Sequence, residues 1–253
     1  MENKNVPLSD RTKDIILGSV LGDGSLKIHK GYKNARFSFR HSIVQKSYFL
    51  WKVKNLSEIS SSKSIFLQKP DNGYSKNEKL RYQSMALESL TEIYEMVCKR
   101  NIFQIRRKWL NKMSALSLAI WWLDDGSIIS NGRKGVFCTD GFSKDQVEIL
   151  SQYLRVVWKI QNVVAPIGRK RDGKQKEYWR IWIRSTDELK KFFRIILPHC
   201  EVEELLPKVI ILYKDLQLQQ RWISEIAKST NFSEEIIQKY VSEKKNKWKA
   251  YRK

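Results

Sequence analysis

Residues 16–24 read ILGSVLGDG and residues 118–126 read LAIWWLDDG. Each is an apolar, helix-length run ending in Asp-Gly, followed by a serine (Ser25, Ser127) and then by an alternating, strand-like segment. Asp23 and Asp125 close the two runs and stand 102 residues apart. One Asp-Gly pair alone reads as a turn between helix and strand. Two copies in matching context read as an internal repeat, and the repeat decides the fold.

Downstream, the copies agree element by element. After Gly24 come a strand, a basic turn at residues 30–33 and a second strand over 35–41. After Gly126 come 127–130, the turn Asn131-Gly132-Arg133-Lys134 and 135–139. A helix follows in each copy, from Gln45 (QKSYFLWKVKNL) and from Gln146 (QVEILSQYLRVVW), 21 and 20 residues beyond the motif glycines. Strands 64–69 and 79–84 match 163–169 and 177–184, each pair joined by a loop rich in Lys, Arg, Asp and Gly. Helices over 87–99 and 186–196 close the units. The pattern predicts an α+β fold of two αββαββα repeats, residues 1–99 and 114–216. Residues 100–113 join them without a Pro/Gly/Ser-rich spacer, so the halves are expected to pack closely.

After Pro207 a helix through about Gln220 is expected, and residues 217–253 form a helical extension. Within it ISEIAK, STNF and SEEIIQKYV have the look of a helix-turn-helix, with Ser233 as N-cap. It either contacts DNA or is a helical pair packed on the second repeat; Glu234 and Glu235 open its last helix and would repel phosphate. The terminal run EKKNKWKAYRK holds six basic residues and one acid and is expected to be mobile on its own.

The chain has 253 residues, 42% hydrophobic and 30% charged, the composition of a globular protein with a proper core. Charge is the outlier: 48 Lys+Arg against 27 Asp+Glu leaves +21. Such a surplus repels itself unless a polyanion neutralises it, and nucleic acid is the default polyanion. Acidic lipid is the rival, but no apolar run approaches the roughly 20 residues of a bilayer span. Cys98, Cys138 and Cys200 form no C-x-x-C, and only three histidines accompany them. Structural zinc is not indicated; reduced, buried thiols of an intracellular protein are. The polar start MENKNVPLSDRTKD shows no secretion signal, and the expected compartment is a mitochondrion, a chloroplast or the bacterial cytoplasm.

Gly18 and Gly22 lie four residues apart, on one face of the first motif helix. A second helix can approach closely there. If the helix of the second copy crosses at that face, Asp23 and Asp125 arrive at one place, where two carboxylates repel unless a cation intervenes. Oxygen ligands without neighbouring Cys or His favour Mg²⁺ over zinc. A metal flanked by carboxylates can activate water and stabilise the leaving oxygen at a phosphate, which is nuclease chemistry.

The two motifs resemble the paired signature of the LAGLIDADG homing endonucleases in their single-chain, two-motif form, over about residues 11–215. The resemblance implies a pseudo-twofold DNA-binding saddle with a sheet in each major groove, and catalytic Mg²⁺ held by Asp23 and Asp125. It also implies assistance from the backbone carbonyls of Gly22 and Asp124. Lys99 and Lys208 resemble family lysines that position water or stabilise charge at the scissile phosphate. The implied activity is that of a monomeric endodeoxyribonuclease that cuts both strands of a long target site across the minor groove and leaves 3′ overhangs, in the service of intron homing. The chain departs from the pattern at the sixth motif position, often acidic, where it has Leu21 and Leu123, and at the third, where the second motif has Ile120. The penultimate acid is present in both copies.

Lys27, Arg36, Arg40, Arg81, Arg133, Arg169, Arg180 and Arg184 fall on or beside predicted strands and are the candidate DNA contacts. Arg bidentate to guanine is worth roughly 1–3 kcal/mol of discrimination. The loops 30–33 and 170–176 suit phosphate, which holds register without reading bases. Trp121 and Trp122 read as packing residues, Asp124 as a solvated neighbour offering its backbone alone, and His29 and His41 as DNA contacts or solvent-facing residues alike. Two rivals share the fold: an RNA-binding maturase that assists intron splicing without catalysis, and a DNA-binding regulator using the tail. Retained acids weigh against both.

Overall fold

A computed structural model describes residues 7–69, 78–99, 102–171, 174–248 and 251. The chain divides into two compact units, Met1–Asp124 and Asp125–Lys253. In the first, α1 (Asp10–Ser19), β1 (Gly24–Lys27), β2 (Arg36–Ser42), α2 (Lys46–Asn55), β3 (Ile65–Gln68), β4 (Lys79–Gln83) and α3 (Glu88–Val97) form one αββαββα repeat. Its antiparallel sheet runs in the order β1-β2-β4-β3. Then follow β5 (Cys98–Lys99), β6 (Ile102–Phe103), α4 (Arg107–Leu110) and the second motif helix α5 (Ala115–Asp125). The second unit continues with β7 (Gly126–Ile129), β8 (Lys134–Phe137), α6 (Lys144–Val156), β9 (Val163–Arg171), β10 (Lys174–Ile183) and α7 (Thr186–Ile196), with the sheet order β7-β8-β10-β9. The extension holds α8 (Leu216–Ser229) and α9 (Glu234–Lys247). This is the duplicated α+β architecture expected from the sequence.

Alternation builds each sheet. On β2, Phe37, Phe39 and His41 are buried while Arg36, Ser38 and Arg40 turn outward, the period-2 pattern of a half-covered strand. Phe39 stacks on Tyr82 of β4 at 5.0 Å and meets Phe49 of α2 at 5.3 Å. In the second unit Phe137, Ile181 and Ile183 bury the equivalent face, with Phe137 edge-on to Phe192 of α7 at 5.5 Å. The helices start on caps: Ser9 accepts from Thr12 N, and Ser143 forms a full capping box with Gln146.

Gly18 lets the two motif helices meet. A Cβ there would lie 2.4 Å from the carbonyl oxygen of Ser117 and 2.7 Å from Cβ of Ile120, both on α5. One at Gly22 would lie 2.5 Å from Cβ of Asp124. Helix α5 therefore packs within the first unit, with Trp121 and Trp122 fully buried and Ser117 Oγ donating to Asp14 at 3.0 Å. The boundary between the two compact units lies at the end of α5, beyond the connecting residues 100–113. That connecting segment is itself packed, since Ile105, Trp109, Leu110 and Met113 are buried.

Four local expectations differ from the structure, the first being the helix expected over 87–99, which ends at Val97 with Cys98–Lys99 passing into β5. The glutamines Gln45 and Gln146 are not equivalent: Gln45 occupies the cap of α2, while Gln146 is the third residue of α6. No helix runs on from Pro207, which lies in a 3-10 segment, Glu203–Lys208; Val209, Ile210, Ile211 and Leu212 follow without regular structure and fully buried. Three β-branched residues in a row disfavour helix, and Leu212 N bonds to Gly132 O at 3.0 Å. Gly132, at φ +79°, has no room for a side chain, with a Cβ falling 2.7 Å from Leu212. Finally, part of the terminal basic run is helical, since α9 extends to Lys247 and buries Ile237, Val241 and Lys244. Of the expected phosphate loop 170–176, residues 172–173 lie outside the described ones. Among the described residues no helix is long and apolar enough to cross a membrane.

Candidate metal centre and basic sheet faces

Helix α1 ends at Ser19, and the turn through Gly22 sets Asp23 immediately before β1, its side chain 42% exposed. Strand β2 brings His41 to the same place from the core side. Its Nδ1 lies 3.4 Å from Asp23 Oδ2, and its side chain is 1% exposed. Asp124, on α5, directs Oδ2 to within 3.3 Å of the backbone N–H of Asp23. One ligating atom from each of Asp23, His41 and Asp124 lies within 4.8 Å of the others. Carboxylate oxygen with imidazole nitrogen is a donor set that a divalent cation can take.

Asp124 is more than a backbone donor. Lys52 Nζ, on α2, donates to both of its carboxylate oxygens at 2.7 and 2.8 Å, and Tyr48 Oη donates to Oδ1 at 2.8 Å. Both side chains of the ion pair are 0% exposed. The ammonium also sits 4.8 Å from the Tyr48 ring centroid and 5.1 Å from that of Phe39, a desolvated cation–π setting. The expectation of a solvated Asp124 is thus corrected: Gly22 leaves the room, and Lys52 draws the carboxylate inward. His41 likewise faces the core, ringed by Phe39, Tyr48 and Phe49, whereas His29 is exposed beyond β1. The sequence held a signal for Lys52, because Tyr48, Phe49, Lys52 and Leu56 form one helical stripe, with a charge where an apolar residue belongs.

In the second unit Asp125 ends α5, half-buried, and its carbonyl accepts from Cys138 N at 3.0 Å. Lys208 closes the 3-10 segment, half-buried. That segment is tied down by Lys244 of α9, whose Nζ donates to Pro207 O at 2.5 Å and Ile210 O at 2.7 Å. Burial lowers the Lys244 amine from 10.5 to about 7. Lys99 is exposed at the end of β5, paired with Ile102.

The outer face of the first sheet is basic by register. Lys27 pairs directly with Arg36, and Arg40 with Arg81. Like charges facing across a ladder disfavour the pairing by up to about 1 kcal/mol each unless an anion lies over them. Arg36 rests 4.4 Å over Tyr32, and Arg81 5.3 Å over Phe66, which holds the guanidinium planes in place. In the second unit Arg133 and Arg184 are exposed at strand ends, and the Arg169 side chain lies outside the described residues. Arg180 differs from expectation. Its guanidinium forms a bidentate pair with Asp140 at 2.5 and 2.6 Å, and the residue is 7% exposed, so its donors are engaged inside the protein.

The chain belongs to the LAGLIDADG DNA endonuclease family, whose profile matches residues 13–192. It is 28% identical over 200 residues to the cytochrome b mRNA maturase bI2 of Saccharomyces cerevisiae, covering 76% of this chain and 46% of that protein. It is 27% identical over 222 residues to a RecA protein of Mycobacterium gastri, covering 79% and 48% respectively. The chain thus spans about half the length of these curated relatives. Among solved structures, the homing endonuclease I-WcaI bound to its DNA recognition sequence shares the fold, with a TM-score of 0.66 at 21% identity over 81% of this chain and 88% of that one.

Proposed function

We propose that the chain is a monomeric, site-specific, Mg²⁺-dependent endonuclease of the homing type, cutting both strands of double-stranded DNA across the minor groove to leave 3′ overhangs. The observation that carries this reading is the carboxylate retained at the end of each motif helix, Asp23 in one repeat and Asp125 in the other. When bound, the metal supplies Lewis acidity that activates water and stabilises the leaving oxygen. Asp23 and Asp125 hold it, and Lys99 and Lys208 place positive charge toward the scissile phosphate. Arg36, Arg40 and Arg81, fixed on one sheet face, read bases or grip phosphates. Intron homing is the biological setting this activity suits.

Long duplex DNA carrying candidate intron-insertion sites, incubated with Mg²⁺ or with EDTA, tests the reading. Discrete, metal-dependent double-strand breaks are expected from the parent, and none from Asp23→Asn or Asp125→Asn. Equal cutting by Asp23→Asn would overturn the metal assignment. A second reading is favoured by the 28% identity to a protein named as an mRNA maturase: binding of intron RNA to assist splicing. Splicing of an intron transcript by a chain that cuts no DNA would establish it instead.

A further inference from the structure

We infer that His41 is a nitrogen ligand of the metal held at Asp23, so that the first repeat carries a mixed oxygen and nitrogen site and the second does not. The inference rests on the reading of Asp23 as a metal-binding acid and goes beyond it. The Nδ1···Oδ2 separation of 3.4 Å exceeds the usual 2.7–3.2 Å of an N–H···O hydrogen bond. Two ligands bound side by side at about 2.1 Å to one octahedral or tetrahedral ion stand about 3.0–3.4 Å apart. The observed spacing falls within that range.

Charge points the same way. Asp124 enters the cluster already holding Lys52 at 2.7 and 2.8 Å, so that carboxylate brings little net negative charge. With Asp124 so engaged, His41 is the remaining donor of the group that lies beside Asp23. Register shows that the feature belongs to one repeat only. Gly24 pairs with Phe39 and Gly126 with Phe137, which aligns His41 with Thr139. Thr139 is 1% exposed and its hydroxyl donates to Trp179 O at 2.6 Å. An imidazole nitrogen is a softer donor than oxygen and is better tolerated by first-row transition ions than by Mg²⁺, which prefers oxygen throughout. The site at Asp23 is therefore expected to bind Mn²⁺ more tightly than Mg²⁺.

Electron spin-echo spectroscopy of the full chain with one equivalent of Mn²⁺ and no DNA tests this directly. The expected result is modulation from an imidazole ¹⁴N, replaced by ¹⁵N coupling when only histidine is ¹⁵N-labelled, a comparison that needs no variant. His41→Gln is expected to lose the modulation and weaken Mn²⁺ binding at least tenfold. Asp23→Asn should lose it too. Absence of modulation in the parent, or its persistence in His41→Gln, would overturn the assignment. A parent that cuts DNA with Mn²⁺ but shows no nitrogen coupling refutes only the ligand; one that shows the coupling but never cuts refutes only the nuclease.

Discussion

Lys52→Met isolates the buried ion pair. Methionine matches the lysine stem in length and apolar character, so packing against Phe39 and Tyr48 is largely kept while the ammonium is removed. What remains is an Asp124 carboxylate with 0% side-chain exposure that has lost two donated bonds and keeps those from Tyr48 at 2.8 Å and from the backbone N–H of Asp23 at 3.3 Å. Breaking a buried pair from one side costs about 3–5 kcal/mol, a large share of the 5–15 kcal/mol typical of a folded domain. At about 2–4 °C per kcal/mol for a chain of this size, Tm should fall by roughly 6–20 °C, and the urea midpoint should fall with it. Replacing both partners, as Lys52→Met with Asp124→Ala, removes the stranded charge as well. The double variant should recover most of the loss, giving a coupling of a few kcal/mol in the cycle. A single variant within about 1 kcal/mol of the parent would refute the idea that Lys52 is the main compensation of the buried Asp124 carboxylate.

Two further outcomes follow from other contacts. Gly18→Ala places a methyl 2.4 Å from a backbone oxygen of α5; neither helix can move aside cheaply, so a loss of about 1–3 kcal/mol is expected in urea denaturation, against near neutrality if the helices part freely. Lys244 supplies a pH signature. Its folded value is lowered from 10.5 to about 7, so below pH 7 both states carry the proton, and between about 7 and 10.5 only the unfolded state does. The parent should therefore gain stability relative to Lys244→Met as pH rises through that window, by a few kcal/mol at most, and a pH-independent difference between the two would show that the amine titrates normally.

Topology was legible because it is written as periodicity and repetition. The Asp-Gly-Ser endings, the alternating strands and the helix spacing recur in both copies, and each recurrence constrains the other. The close approach at Gly18 was legible for the same reason, since a missing side chain on a helix face has few other uses. The polar interior was not. Asp124 looked solvated because a residue's neighbours along the chain say nothing of Lys52, which lies on a different helix, and His41 was ambiguous because alternation fixes its face only once the register of β2 is known. Arg180 lies on the outer side of its strand as the alternation requires, yet Asp140, 40 residues away in sequence, engages it. The stretch after Pro207 failed as a helix because burial on every side, not one-sided periodicity, governs Val209 to Leu212.

The duplicated repeats have diverged where charge is concerned. Gly22 stands where the second copy has Asp124, and the strand register that aligns Phe39 with Phe137 aligns His41 with Thr139 and, since α2 and α6 begin at Lys46 and Lys144, Lys52 with Leu150. In a symmetric dimer of one repeat every contact occurs twice. A Lys–Asp pair would then need both residues in the same repeat, and two buried pairs would each carry their own desolvation penalty. Fusing the repeats into one chain removes that requirement: the acid can come from the second motif helix and the lysine from the first repeat, once. Two copies of the first repeat would leave Lys52 facing a glycine, and two copies of the second would leave Asp124 facing Leu150. The ion pair thus distinguishes one motif helix from the other at this contact, the kind of asymmetry on which a registry role for buried charge is built.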